Sequence, residues 1–312
     1  MKYEKLFPVL LPASKIIQRH KIIIPNQKLS CTPFFILGSG RNGSTLISSM
    51  LNQHSKIVIP PEQFFLHLSY IRFRLLNFLE WKDIVKIIFG EAMNPKVSPY
   101  WDIELGNVIP QMYDLPKNER SLTRLIDEVF TNYSKKQKPD FQIWGDKTPK
   151  NILYIKYIHK MYPNSKFIFL KRDGRDVVSS YLKGETTFFG DYNKLENACA
   201  FWNKSFESWD WLSKRLKEDQ MMTINYEDLV TDGKTTLTNA TKFIGFEFEE
   251  EMLSSYQKQA NVLGISDAPH HQNVKGALSS NSIGKWKERM TQEQIVQTEK
   301  LIGKNLERFK YI

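Results

Sequence analysis

Short apolar runs alternate along the chain with longer segments whose apolar residues recur at helical spacing. The short runs predict buried strands, because turn-forming or polar residues bound them. They cover Pro33–Leu37, Ile57–Ile59, Phe141–Trp144, Lys166–Lys171 and Met221–Asn225. The helical spacing predicts helices over Ser44–Asn52, Leu122–Tyr133, Lys150–Tyr162, Leu195–Leu216, Thr235–Ile244 and Thr291–Phe309, and one beginning near Arg175. Strands that alternate with helices favour an α/β domain with a mainly parallel sheet.

Three segments do not fit this alternation. Residues 1–30 predict a lead-in that is poorly ordered or packed at an edge, ahead of a single domain over residues 31–312. Residues 64–90 are rich in Phe, Leu, Ile and Trp, and predict either one or two helices that cover the sheet or an aromatic wall of a pocket. Residues 95–116 are irregular, which fits a lid or an insertion.

The charge of the chain favours an anionic partner. The formal net charge is +10, which fits nucleic acid, a membrane surface or a phosphorylated small molecule. Lysines and arginines are spread along the whole chain, whereas a nucleic-acid binder would concentrate them in a stripe with interleaved aromatic residues. Charge alone therefore does not decide among these three kinds of partner.

The cysteines and histidines do not indicate a metal site, and no segment indicates a secreted protein. Cys31 and Cys199 lie far apart, and the histidines form no cluster, so we expect no metal and a reducing compartment. We interpret His270-His271 as loop residues that could lie near a substrate. No run of 18 apolar residues and no signal-peptide pattern occur, so a cytoplasmic protein is expected, with peripheral membrane contact left open.

A glycine-rich segment, Gly38-Ser-Gly-Arg-Asn-Gly-Ser-Thr45, joins the first predicted strand to the first helix. Backbone N–H groups and the helix dipole favour an anion at such a turn, although similar turns also occur without ligands. Gly38 and Gly43 have the separation of a Walker A motif, but Ser44 occupies its lysine position. A nucleotide kinase needs that lysine and a metal ion, so the loop fits a phosphate-like group held by Arg41.

A second candidate anion site is Arg172–Ser180, which also follows a strand and enters a helix. Arg172 with Ser179 or Ser180 could bind one phosphate through charge-assisted hydrogen bonds. Asp173 and Asp176 could pair with Arg175 or cap the helix, in which case the segment is only a capped helix with an ion pair. Two anion sites at strand ends fit a nucleotide that is phosphorylated at both its 5′ and 3′ ends.

At these motifs the chain resembles the sulfotransferases that use 3′-phosphoadenosine-5′-phosphosulfate (PAPS). The loop at 38–45 is similar to their 5′-phosphosulfate motif, and Arg172–Ser180 to their 3′-phosphate motif. Ile283-Gly-Lys-Trp-Lys287 followed by Thr291 is similar to their C-terminal segment, and Lys275-Gly276 to part of the 3′-phosphate loop. The tyrosylprotein-type and related bacterial enzymes are most similar, through Lys147-Thr-Pro149, Met161–Phe167, Arg172–Arg175 and Leu46–His54 followed by Glu62.

The resemblance implies a P-loop-type three-layer sandwich, with residues 64–136 as a helical insertion on the acceptor side. It implies that PAPS is the co-substrate, without a metal, and that its sulfuryl group passes to a hydroxyl. Glu62 would be the base, while Lys147 and Arg41 would stabilise the leaving group; Asp146 is the alternative base. The implied nucleotide-binding residues are Gly40, Arg41, Asn42, Gly43, Ser44, Thr45, Arg172, Ser180, Tyr226, Lys275 and Lys285.

Two departures from the family concern the base and the acceptor. Cytosolic sulfotransferases use a histidine after a Lys-Thr pair, and Pro149 stands there, which favours Glu62, provided that Glu62 is buried beside Phe64-Phe65. Tyrosylprotein enzymes place an arginine soon after the base, where this chain has Gln63, so acidic tyrosine peptides are disfavoured. We expect a glycan or glycolipid precursor to stack on Tyr100-Trp101, Phe188-Phe189 or Trp202. The alternative is a sterol or other lipid alcohol bound along Phe64–Phe89.

Overall fold

A five-stranded parallel sheet forms the centre of the computed structural model, which describes residues 12, 18–26, 29–184, 191–257 and 278–312. The strand order is β2-β3-β1-β4-β5. The strands are β1 (Phe34–Leu37), β2 (Ile57–Val58), β3 (Ile143–Asp146), β4 (Lys166–Lys171) and β5 (Met221–Asn225). Because all neighbouring pairs are parallel, the carboxyl ends of all five strands meet at one edge.

Both faces of this sheet are buried. In β1, Phe34 and Ile36 belong to one apolar cluster, whereas Phe35 and Leu37 belong to another. Successive side chains of a strand point to opposite faces, so each cluster covers one face of the sheet. The result is the expected three layers, with helices on both sides of a parallel sheet.

Thirteen α-helices are assigned within the described ranges. They are α1 (Ser44–Leu51), α2 (Phe65–Leu76), α3 (Trp81–Ala92), α4 (Ile109–Tyr113), α5 (Leu122–Gln137), α6 (Ile155–Met161), α7 (Gly174–Lys183), α8 (Leu195–Ser213), α9 (Tyr226–Thr231), α10 (Gly233–Ile244), α11 (Glu251–Ser254), α12 (Trp286–Arg289) and α13 (Gln292–Arg308). Helices α1, α9 and α10 cover one face of the sheet, and α2, α3, α5 and α8 belong to the layer on the other.

The predicted elements are confirmed with shifted ends. The third strand begins two residues later than predicted, since the backbone N–H of Phe141 bonds the carbonyl of Lys138 in the turn that ends α5. The helix predicted over Lys150–Tyr162 is instead a 3₁₀ turn, Pro149–Tyr154, followed by α6. The remaining strands match the predicted ranges to within one residue.

Residues 64–90 and the described part of residues 1–30 both pack against the rest of the chain. Residues 64–90 form two helices, and Phe65, Phe73 and Phe89 are fully buried in the core, so the covering-helix interpretation is confirmed and the aromatic wall is wrong for these rings. The described part of residues 1–30 packs at an edge: Leu122 and Thr123 donate backbone hydrogen bonds to the carbonyls of Lys21 and Ile22.

Candidate active site

The glycine-rich loop turns sharply at the carboxyl end of β1 and leads into α1. Gly40 and Gly43 have φ values of 68° and 91°, in the left-handed region, and Arg41 also lies there at 52°. Such φ values cost a residue with a Cβ atom about 1–2 kcal/mol. The loop therefore holds a strained backbone at the N-terminus of α1, where helix N–H groups and the dipole favour an anion.

Two tyrosines pack against this loop where only glycine fits. A Cβ on Gly40 would collide with the hydroxyl of Tyr181, and that hydroxyl donates a hydrogen bond to the carbonyl of Ser39 over 2.7 Å. A Cβ on Gly43 would collide with the ring of Tyr226. Tyr226, expected beside the nucleotide, is thus buried against the phosphate loop.

The first loop is tied directly to the strand end that carries the second anion site. The side-chain amide of Asn42 donates to the carbonyl of Leu170 over 2.6 Å, and Arg172 Nη1 donates to the carbonyl of Arg41 over 3.0 Å. The two predicted anion sites therefore form one continuous surface at the ends of β1 and β4.

Arg172 is buried, and besides the Arg41 carbonyl it contacts the carboxylate of Asp176, whose Oδ2 lies 3.7 Å from Nη2. Its guanidinium lies 4.3 Å from the centre of the Tyr226 ring, and Nη2 donates to the carbonyl of Ser282. Its Nε is buried with no hydrogen-bond partner among the described residues. A buried N–H without a partner is costly, so this atom is a candidate donor to an anion.

The remaining 3′-phosphate candidates are placed less closely. Ser180 is half-buried on α7, and Lys285 is half-buried immediately before α12. Lys275 and the pair His270-His271 lie outside the described residues.

Asp176 has a role that the sequence analysis missed. It neither caps α7 nor pairs with Arg175; instead its carboxylate accepts backbone hydrogen bonds from Gly284 at 2.8 Å and Trp286 at 3.0 Å. Asp173 performs both expected functions, capping α7 and pairing with Arg175. Burial raises the pKa of Asp176. Asp176 thus fixes the C-terminal segment that carries Lys285 beside the second anion site.

Glu62 and Lys147 form an ion pair next to the first loop. Lys147 Nζ lies 2.9 Å from Glu62 Oε1 and 3.5 Å from the hydroxyl of Thr45. The Lys147 side chain is only 3% exposed, whereas that of Glu62 is 28% exposed. The expectation that Glu62 is buried beside Phe64-Phe65 is wrong, because its carboxylate faces Lys147 and is open to solvent.

Arg41 lies close to the same group of residues. Its guanidinium is 5.6 Å from the centre of the Tyr181 ring, and burial lowers its pKa, although the group stays cationic. The loop therefore has a half-buried positive charge that an anion could neutralise. The alternative base, Asp146, is buried and accepts three hydrogen bonds, so both of its oxygens are already engaged within the protein.

The aromatic residues expected to stack on an acceptor differ in exposure. Trp101 is 9% exposed and packs on Phe130, and Trp202 is buried with its indole N–H bonded to the carbonyl of Arg172, so both are wrong as stacking residues. Tyr100 is 50% exposed. Phe188-Phe189 lie outside the described residues.

Gly43→Ala is expected to weaken binding of 3′-phosphoadenosine-5′-phosphate (PAP), the product nucleotide that the resemblance implies, by about tenfold or more, because the new methyl group displaces Tyr226. Titration calorimetry measures this change. Gly245→Ala is the matched control: Gly245 has φ 112° at the end of α10, but a Cβ there meets no atom within 4 Å. Equal affinity losses in the two variants would contradict the proposed role of the Tyr226 contact.

Comparison with known proteins gives the family. The model of the Sulfotransferase family matches residues 33–250, and the chain belongs to that family. It is 22% identical over 268 residues to protein-tyrosine sulfotransferase A of Caenorhabditis elegans, covering 82% of this chain and 61% of that protein. It is 26% identical over 234 residues to protein-tyrosine sulfotransferase 2 of Gallus gallus, covering 74% of this chain and 56% of that protein. The chain thus matches about three-fifths of the length of these relatives.

Solved structures of the same fold include two bacterial sulfotransferase domains. The domain from the Synechococcus PCC 7002 olefin synthase superposes with a TM-score of 0.59 at 21% identity, covering 92% of this chain and 98% of that one. The domain from the curacin biosynthetic pathway gives 0.57 at 21% identity, with 88% and 98% covered. Among the described helices, none is long and apolar enough to cross a membrane.

Proposed function

We propose that this chain transfers the sulfuryl group of PAPS to a hydroxyl group of an acceptor. The observation that carries the proposal is the connection of two strand-end anion sites through Arg172 and Arg41, with the Glu62–Lys147 pair beside Thr45. A nucleotide with phosphates at both ends would occupy both sites. Membership of the Sulfotransferase family supports the same reaction.

The residues at the loop fit each part of an in-line transfer. The acceptor oxygen attacks sulfur, its proton passes to the Glu62 carboxylate, and the bond from sulfur to the bridging oxygen breaks. The bridging oxygen leaves with the electron pair as part of PAP, and Lys147 and Arg41 would offset its charge. Positioning and charge stabilisation would dominate, as they do in phosphoryl transfer.

Glu62 is suited to this role by its exposure, because a base must reach a substrate proton. Lys147 donates a hydrogen bond to the carboxylate over 2.9 Å and holds it beside the loop. The buried Lys147 ammonium is positioned to contact both the base and an anion at Thr45. The pair thus places a proton acceptor and a positive charge next to each other beside the loop.

The acceptor we propose is a glycan or glycolipid precursor. The segment that carries Tyr100 packs directly on the Glu62 loop, since the Trp101 indole donates to the carbonyl of Pro61 over 3.0 Å and Phe64 N donates to the carbonyl of Val97 over 2.8 Å. The exposed ring of Tyr100 therefore lies on the segment beside the reacting residues, where it could stack on a sugar ring. A sterol or lipid alcohol is the alternative acceptor.

Tyr100→Ala is expected to raise KM for the acceptor about tenfold while leaving kcat and KM for PAPS unchanged, by analogy with nucleobases, whose stacking on one aromatic ring contributes about 1–3 kcal/mol. Steady-state kinetics with the best acceptor measures the change. Tyr113→Ala, a half-buried tyrosine on α4, is the control. An unchanged acceptor KM in Tyr100→Ala would remove this ring from the acceptor site.

The test of the proposed function is a transfer screen with sulfur-35 PAPS against glycans, glycolipids, sterols, phenols and tyrosine peptides. Label transfer to a sugar hydroxyl is the expected result. Transfer only to sterols or lipid alcohols would favour the alternative, and transfer to tyrosine peptides would match the activity in the names of the relatives. Binding of ATP and magnesium in preference to PAP would instead favour a kinase, and salt-sensitive binding of DNA or RNA without PAP affinity would favour a nucleic-acid binder.

A further inference from the structure

We propose that Asp146 is the positioning residue that sets the relative location of Glu62 and Lys147, acting through the side chain of Gln63. This inference rests on the proposed sulfuryl transfer, because it concerns the residues that would perform it. Asp146 touches neither an anion site nor an acceptor, so it is not itself a catalytic residue.

Glu62 and Lys147 are each adjacent in sequence to a residue of one buried hydrogen-bond network. Glu62 precedes Gln63, and Lys147 follows Asp146, which is the last residue of β3. The side-chain amide of Gln63 donates a short hydrogen bond to Asp146 Oδ2. One side-chain hydrogen bond therefore joins the chain segments from which Glu62 and Lys147 project.

Further hydrogen bonds fix each end of this connection. Gln63 Oε1 accepts from the backbone N–H of Leu66 at 2.8 Å, and Gln63 N donates to the hydroxyl of Thr148 over 3.2 Å. Asp146 Oδ1 accepts from Thr148 N and from the amide of Asn151, both at 2.7 Å. All four of these side chains are buried. The hydrogen bonds to the Asp146 carboxylate are charge-assisted, and in buried surroundings they are stronger than hydrogen bonds in water. They leave these side chains little freedom of movement.

The ion pair cannot define its own geometry. The Lys147 side chain is buried, but that of Glu62 is 28% exposed, so solvent screening weakens the pair and leaves the carboxylate room to move. A misplacement of about 1 Å can cost about 100-fold in rate. The buried network is thus the part of the site rigid enough to hold the base and the cation at a working separation.

The polarity of the network allows a specific test. In Asp146→Asn, Oδ1 can still accept from Thr148 and Asn151, but the new amide then faces the amide of Gln63, donor against donor. Gln63 cannot turn over, because its Oε1 accepts from Leu66 N. Adding Gln63→Glu supplies an acceptor for both Leu66 N and the new amide, and restores the net charge of the wild type.

For Asp146→Asn we expect kcat to fall about 100-fold, with the Kd for PAP within about twofold of wild type. The double variant Asp146→Asn with Gln63→Glu should recover most of that loss. Asp127→Asn is the matched control, since Asp127 is fully buried and accepts hydrogen bonds from Ser30 and Trp144 away from the reacting pair. It should lower Tm and leave kcat unchanged.

Three kinetic results would each overturn the proposal: unchanged kcat in Asp146→Asn, a kcat loss equal to that of Asp127→Asn at equal Tm loss, or no recovery in the double variant. If Asp146→Asn does not fold, Gln63→Met keeps a similar side-chain shape, removes the amide donor to Asp146 and the oxygen that accepts from Leu66 N, and is expected to show the same kcat loss. A crystal structure of the variant separates this inference from the proposed function. The Glu62–Lys147 separation, 2.9 Å here, is expected to change even if no sulfuryl transfer is ever found; an unchanged separation would overturn the proposal.

Discussion

Glu62→Gln is expected to lower kcat by about 10²–10⁴-fold while the Kd for PAP stays within about twofold of the wild-type value. An amide of the same size cannot accept the proton of the acceptor hydroxyl, and a general base typically supplies a factor of this size. Binding should persist because Glu62 contacts Lys147 and not the backbone of the phosphate loop. Single-turnover transfer from sulfur-35 PAPS and titration calorimetry with PAP measure the two quantities.

The matched control for this variant is Glu249→Gln. Glu249 is 31% exposed and pairs with the imidazole of His54. It therefore resembles Glu62 in exposure and in pairing with a basic side chain. Its loss should affect stability only, with unchanged transfer. Wild-type turnover in Glu62→Gln would remove Glu62 from the role of base.

Arg172→Lys is expected to weaken PAP binding by about 10–100-fold and to leave the affinity for adenosine 5′-monophosphate nearly unchanged. The variant keeps a charge but loses the planar guanidinium whose buried Nε has no partner among the described residues. A lost charge-assisted hydrogen bond costs about 1.5–3 kcal/mol, which corresponds to that range of affinity. The monophosphate lacks the 3′-phosphate and serves as an internal check that the first loop is intact.

Arg74→Lys provides a control of similar burial. Arg74 is a buried arginine near the C-terminal end of α2, not at the carboxyl ends of the strands. It should retain the wild-type ratio of the two affinities. A parallel loss of both affinities in Arg172→Lys would mean that Arg172 supports the first loop, through its bond to the Arg41 carbonyl, rather than binding a 3′-phosphate.

The sheet was predictable from sequence because its strands are apolar on both faces. Strand β4 alternates between the two clusters, Phe167 and Phe169 on one side and Ile168 and Leu170 on the other. Such runs predict strands even when the neighbouring strands of the sheet are unknown. The ends of β1 and β4 were also recognisable, since glycine and arginine follow apolar runs at both.

The contacts that shape the site were not predictable, because they join residues far apart in the sequence. Gln63 and Asp146 are 83 residues apart, and Asp176 and Gly284 are 108 apart. No local pattern distinguishes a buried aspartate that bonds a distant amide from one that could act as a base. For the same reason Trp202 was wrongly predicted to stack on an acceptor. Its burial depends on packing that its neighbours in the sequence do not indicate.

The most direct test of the central claim is titration of the wild-type chain with PAP and with adenosine 5′-monophosphate under identical salt. The claim is that one nucleotide occupies both the loop at Gly38–Thr45 and the site at Arg172. We expect PAP to bind at least about tenfold more tightly, because only its 3′-phosphate reaches Arg172. Equal affinities, or no binding of PAP, would contradict it.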